Sequence, residues 1–228
     1  MDTIIFIPGH GCTPRVFEAQ IQELSAHYEC VCIDLRNYKT IKEIIDHVLN
    51  NTPSQFYILG FSLGAAIALD ISQQAPHRIK GHIHISLPYE GPSTTLINEL
   101  TQIEKDLPSM EMDEFIKLAY QKYFPHKEPS DPLYAILSQM LLETGKIHYI
   151  EQAHMLSKPW HLIASAHQHH PVLILSGALD KRAKPEYHEK MAAQLKTSTL
   201  HVLPNAGHFL TLEQPALSTQ IIQEWLNS

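Results

Sequence analysis

Short runs of β-branched and other apolar residues alternate along this chain with longer stretches whose apolar positions recur at helical spacing. Six runs read as strands, at 3–7, 30–34, 55–59, 79–86, 172–176 and 199–203, each bounded by Pro, Gly, Asn or Asp. Several are apolar at consecutive positions, as a strand is when helices cover both faces of its sheet. Helices are predicted at 17–26, 41–50, 62–74, 185–195 and 213–226. In the second, Ile41, Ile44, Ile45 and Val48 form one stripe, and Pro185 suits the first turn of the fourth. The alternation predicts an α/β fold, doubly wound, with a mostly parallel sheet of about six strands.

The rhythm breaks over 89–160, where strands stop and Leu, Ile, Met and aromatic residues recur between prolines. This segment reads as an inserted helical cap, so the expected division is a core of 1–88 and 161–228 with a cap of 89–160. Phe115, Leu118, Tyr120, Tyr123, Phe124, Leu133, Tyr134, Met140, Leu141 and Met155 are placed either under that cap, lining a pocket, or in its own small core, the second being the commoner fate of such residues.

Composition narrows the class. With 228 residues, 44% hydrophobic and 18% charged, the chain suits one folded domain carrying an insertion. No segment approaches the roughly 18 uninterrupted apolar residues of a membrane span, and the first residues lack the basic start of a secretory signal, so the expectation is a cytoplasmic protein without membrane association. A net charge of −7 argues against nucleic acid. Cys30 and Cys32 are expected to be buried fillers of one strand, and His167, His169 and His170 to be a loop or helix-end cluster, because neither group has ligand partners at metal spacing. No metal and no cofactor is called for.

Chemistry enters with Gly60-Phe61-Ser62-Leu63-Gly64, which closes an apolar run and opens a small-residue helix. A serine on such a tight strand-to-helix turn points its hydroxyl outward, and the flanking glycines leave room for the bend. A serine hydroxyl needs a base, an orienting acid and oxyanion donors. His208 follows the last predicted strand and Asp180 the one before it, in the order serine, acid, histidine. The turn Pro8-Gly9-His10-Gly11-Cys12 follows the first strand, and the backbone amides of Cys12 and Leu63 are assigned to the oxyanion hole. His10, Phe61, Tyr89 and Phe209 are candidate pocket residues. Rival readings make Ser62 a helix N-cap, Asp180 a cap or a partner of Lys181 or Arg182 with Glu90 as substitute acid, and His10 either an orienting group or a packed one.

The His10-Gly11 turn, the 60–64 elbow, Gly177-Ala178-Leu179-Asp180 and the ending Gly207-His208-Phe209-Leu210-Thr211-Leu212-Glu213-Gln214-Pro215 occur in the order and spacing of the α/β-hydrolase superfamily, which the chain resembles over nearly its whole length. It looks most like the small capped esterases and lactonases, including pimeloyl-carrier-protein methyl esterases, oxoadipate enol-lactonases and the menaquinone-pathway lyase. The resemblance implies Ser62 as nucleophile, His208 as base and Asp180 as acid. Two departures stand out. The chain begins at what would be the family's third strand, so the edge hairpin is expected to be missing. After Asp34-Leu35-Arg36, the residues Asn37-Tyr38-Lys39-Thr40 lead quickly into a helix, so a lower rim is expected there.

The expected reaction is hydrolysis of a small carboxylic ester through an acyl-Ser62. The alternatives are a lyase or C–C hydrolase using the same residues for proton transfer, or a non-catalytic ligand-binding module. Segment 89–160 holds eleven acids and six lysines. That balance argues against an acyl-carrier protein as partner and for an uncharged or apolar ester, unless Lys105, Lys117, Lys122 and Lys127 gather on one rim.

Overall fold

A computed structural model describes residues 1–87, 91–125, 127–160 and 170–228. Its centre is a six-stranded sheet of β1 (Asp2–Ile7), β2 (Tyr28–Cys32), β3 (Phe56–Phe61), β4 (Ile79–Ile85), β5 (Val172–Gly177) and β6 (Ser198–Leu203). Spatial order is β2-β1-β3-β4-β5-β6, and every pairing is parallel. The chain winds outward from β1 to β2, returns to β3, and then proceeds the other way. The gap between β1 and β3 is therefore the point where winding reverses, and at such a point the loops after the strands splay apart to leave a crevice.

Strand alternation sorts the core into two layers. Ile4, Phe6, Leu59, Ile83, Ile85, Leu173 and Leu175 face α1 (Glu18–Leu24) and α9 (Pro215–Leu226). Ile5, Ile7, Ile58, Val172 and Ile174 face α2 (Ile41–Asn51), α3 (Leu63–Gln74) and α7 (Pro185–Gln194). Each large side chain removed from water in these layers contributes about 1.5–3 kcal/mol. The first turns of α3 press against the strands, and a side chain at Gly64 would collide with the carbonyl of Ile7.

Between β4 and β5 run α4 (Thr94–Asp106), α5 (Met112–Tyr123) and α6 (Pro132–Leu156). Gly145 leaves the helical region inside α6 (φ 67°, ψ 162°), a conformation open to glycine, and the helix changes direction there.

Several boundaries differ from the sequence pattern. β2 starts two residues early, because Tyr28 and Glu29 pair with Asp2 and Thr3, and it ends at Cys32 because Asp34 instead caps a 3-10 turn by accepting from the Arg36 amide. Cys30 and Cys32 are only half-buried, since β2 is the sheet edge. The first predicted helix opens as a 3-10 turn, Pro14–Phe17. The last is split at Gln214 into α8 (Leu210–Glu213) and α9, because the residue before Pro215 is driven out of the helical region. Of the predicted cap residues, Tyr120, Phe124, Leu133, Met140, Leu141 and Met155 are buried core. No helix among the described residues is long and apolar enough to cross a membrane.

Candidate active site

Ser62 sits between β3 and α3 at φ 52° and ψ −115°. Such a left-handed position costs a non-glycine residue about 1–3 kcal/mol, so it must be held by its surroundings. Its amide donates to the Ile85 carbonyl (2.9 Å), and its carbonyl accepts from Ala65 (2.9 Å) and Ala66 (3.2 Å). At Gly60 a Cβ would meet the backbone of Gly64 and Ala65, which is why this bend needs glycine. The Ser62 side chain makes no cap bond to α3. It lies 3.2 Å from Nε2 of His208 instead.

His208 follows β6 in a loop that turns through Asn205 (φ 58°). Its Nδ1 stands 2.8 Å from Oδ2 of Asp180. The other oxygen of Asp180 accepts from the amides of Arg182 (2.8 Å) and Ala183 (2.9 Å). Burial pushes the Asp180 carboxyl upward, yet the imidazole and the two amides outweigh it and hold it below the usual range. The loop around His208 is fixed by Glu213, which accepts from the Phe209 amide (3.1 Å). Burial raises the Glu213 carboxyl above its ordinary value.

The turn after β1 is tied to the inserted helices. His10 Nε2 donates to the Tyr149 carbonyl (2.9 Å) while its ring lies 3.9 Å from the Tyr149 ring, and the Gly11 amide donates to Oε1 of Gln152 (2.8 Å). Burial, reinforced by Lys122 and Arg182, lowers His10 to about 4, so it is neutral. Cys12 is buried with its thiol pushed far up by burial. Its amide donates to the Gly9 carbonyl (3.1 Å). Leu63, at the first position of α3, has an amide with no acceptor within its own helix.

Ser62, His10 and His208 open onto a cavity of about 540 Å³ under α4 and α5. Leu87, Leu96, Leu100, Ile103, Leu156 and Trp160 supply apolar wall. Its charged described residues are Glu99, Lys122, Lys181, Arg182 and Lys184. Glu99 bridges Lys122 (2.9 Å) and Arg182 (3.1 Å). The Arg182 guanidinium lies over the Tyr123 ring, 5.6 Å from its centroid. A second cavity, about 290 Å³ and mostly apolar, shares the wall of Glu99, Ile103, Lys122, Tyr123 and Tyr149.

A profile described as the alpha/beta hydrolase family matches residues 4–218. The chain belongs to the alpha/beta hydrolase family. This hydrolase is 22% identical over 245 residues to the (E)-2-((N-methylformamido)methylene)succinate hydrolase of Acinetobacter baylyi, covering 100% of this chain and 91% of that protein. It is 28% identical over 91 residues to the pimeloyl-[acyl-carrier protein] methyl ester esterase of Yersinia enterocolitica, a match spanning 36% of this chain and 35% of that one. In fold it is similar to an esterase (EaEST) from Exiguobacterium antarcticum, with a TM-score of 0.85 at 18% identity, over 100% and 92% of the two chains.

Within the hydrolase, Ser62, Asp180 and His208 are brought together, and His10 lines the cavity beside them. Phe61 and Phe209 do not line it. Strand alternation turns Phe61 away from Ser62, and both rings pack 5.2 Å from each other in the buried layer behind His208. Tyr89, Glu90, His167 and His169 lie outside the described residues, while His170 is buried beside His82. The preference for an uncharged partner also meets a different surface, for the cavity is lined by four cations and one acid among the described residues; of the four lysines considered, Lys122 alone lines it. Sequence reasoning named Tyr123 only as one of ten residues for either a pocket or the core of the inserted segment, and it missed Tyr149, Gln152 and the cavity role of Arg182. Tyr123, Tyr149 and Gln152 lie on helices whose register against the core no local pattern encodes, whereas Arg182, two residues after Asp180, was visible only as a rival ion-pair partner.

Proposed function

We propose that this protein is a serine hydrolase that cleaves a small carboxylic ester, with 89–160 serving as a cap over the site. The observation that carries this reading is the continuous chain from Asp180 through His208 to Ser62, at 2.8 and 3.2 Å. Ser62 attacks the ester carbonyl as His208 takes its proton, and His208 then protonates the departing alcohol. Asp180 holds the imidazole tautomer and stabilises the imidazolium. The amide of Leu63, together with that of Cys12 once it leaves or shares Gly9, faces the oxyanion; one such donor is worth roughly 2.7–4 kcal/mol of barrier. Water releases the acyl group by the same route. The names of the esterase and hydrolase relatives support the reaction class.

Reaction with a fluorophosphonate followed by peptide mass spectrometry tests this. Ser62 is expected to carry the label, and nitrophenyl esters of increasing acyl length to be hydrolysed. An unlabelled Ser62 would sink the reading. A labelled Ser62 that never yields an acyl-enzyme during turnover would instead favour lyase or C–C hydrolase chemistry.

A further inference from the structure

Among the described residues, the lining of the cavity has the opposite charge to the protein around it. The chain carries −7 overall, and the segment forming α4 to α6 is its acidic part, yet the described cavity lining bears four cations against the single acid Glu99. Glu99 is already shared between Lys122 and Arg182, so one of these two charges is left uncompensated. The ammonium groups of Lys181 and Lys184 form no ion pair among the described residues, and both side chains stand exposed at the rim. A surplus of this sign in a concave, partly apolar wall focuses an attractive field on an anion.

Its position relates the surplus to the reacting groups. Arg182 lies against one ring, Tyr123, and that ring stacks on the imidazole of His208. The Arg182 backbone amide is itself a donor to Asp180. Glu99 shows what this corner accepts: a carboxylate between a guanidinium and an ammonium, held below its usual range by Lys122 and Arg182 although burial acts to raise it. The guanidinium fork matches a carboxylate, and charge-assisted bonds offset the loss of its water.

We propose that the natural ester carries a carboxylate, bound by Arg182 with Lys181 and Lys184 at the rim, while its apolar spacer lies along Leu96, Leu100 and Ile103. This rests on the serine-hydrolase reading for the chemistry, though not for the binding.

The test compares monomethyl adipate with methyl hexanoate, which differ in a terminal carboxylate against a terminal methyl, and titrates adipate calorimetrically into the full chain. The half-ester is expected to be hydrolysed with a kcat/KM at least about tenfold higher, as one or two charge-assisted bonds imply. That ratio is expected to fall toward one in Arg182→Gln, in the double rim variant Lys181→Gln/Lys184→Gln, and in wild type as salt rises. Adipate binding should weaken in the same variants. Equal or faster hydrolysis of methyl hexanoate, with no adipate binding, would overturn the carboxylate proposal and leave the hydrolase reading standing. Adipate binding without hydrolysis of either ester or labelling of Ser62 would overturn the hydrolase reading and leave the anion site standing.

Discussion

Tyr123 lies almost parallel to the imidazole of His208, with 17° between the planes and 5.8 Å between centroids. The two residues come from α5 and from the loop after β6, so an inserted helix supplies one wall of the base. Phe61, with its centroid 5.2 Å from the same imidazole, supplies another. Replacing Tyr123 by Ala is expected to lower kcat more than it raises KM, by about tenfold, because it frees the ring to leave the line between Asp180 and Ser62. Tyr123→Phe keeps the stacking surface and should recover most of the rate. Steady-state kinetics on one ester decide this, and equal losses in both variants would show that the hydroxyl matters instead.

Ser62, His208 and Asp180 should behave as one unit. Ser62→Ala and His208→Ala are each expected to remove nearly all turnover, and the double variant to lose little more. Asp180→Asn should cost on the order of 10⁴-fold in kcat, since the amide would favour the wrong imidazole tautomer. Additive losses in the double variant would count against a shared mechanism.

Buried histidines make the fold sensitive to acid. Burial is the main cause that lowers His84 to about 3, His10 and His188 to about 4, and His82 well below its ordinary 6.5. Between those values and 6.5, the unfolded chain binds protons that the folded chain refuses. Stability from these groups is therefore whole above about pH 6.5 and is lost as pH falls, by up to about 1.4 kcal/mol per histidine per pH unit. Urea midpoints should drop steeply from pH 7 to 5, and His84→Gln should flatten that slope. A level profile would contradict the assignment.

Two glycines should respond differently to alanine. At Gly64 the new Cβ would strike the carbonyls of Ile7 and Pro8, which cannot yield without parting α3 from the sheet, so Gly64→Ala is expected to give little folded protein. At Gly145 nothing lies within 4 Å, and only the φ of 67° opposes a side chain. Gly145→Ala should fold, with a loss of about 1–3 kcal/mol by chemical denaturation.

Gln152 accepts from the buried amide of Gly11. Gln152→Leu leaves that amide unpaired, at an expected cost of about 1–3 kcal/mol in stability. A lower kcat at the same time, measured on the protein that remains folded, would show that the turn's geometry matters to the reaction. Unchanged stability would mean that water replaces the carboxamide.

Sequence made the sheet legible because apolar runs and their bounding turns are local signals, and it made the line from Ser62 to Asp180 legible because each residue ends a different strand in a fixed order. It failed where tertiary contacts decide. Tyr28 and Glu29 belong to β2 through their pairing with β1, and nothing in their own pattern says so. Phe61 is a candidate pocket residue in the sequence, yet strand alternation sends it and its neighbour Ser62 to opposite sides. The charge of segment 89–160 was readable as a sum, but which residues face inward was not: among the described lining Lys122 only balances Glu99, and the cationic surplus comes from Lys181, Arg182 and Lys184 outside that segment.

The bonds from the turn after β1 to α6 bear on how such proteins are recombined. Tyr149 and Gln152 hold His10 and Gly11, and Glu143 of the same helix accepts from Thr13 and Arg15 while its carbonyl accepts from Arg36. The sheet and the inserted helices are thus not interchangeable modules. A cap grafted from another scaffold would have to present a carbonyl and a carboxamide at these two heights, or the transplanted core would arrive with its glycine turn unsupported.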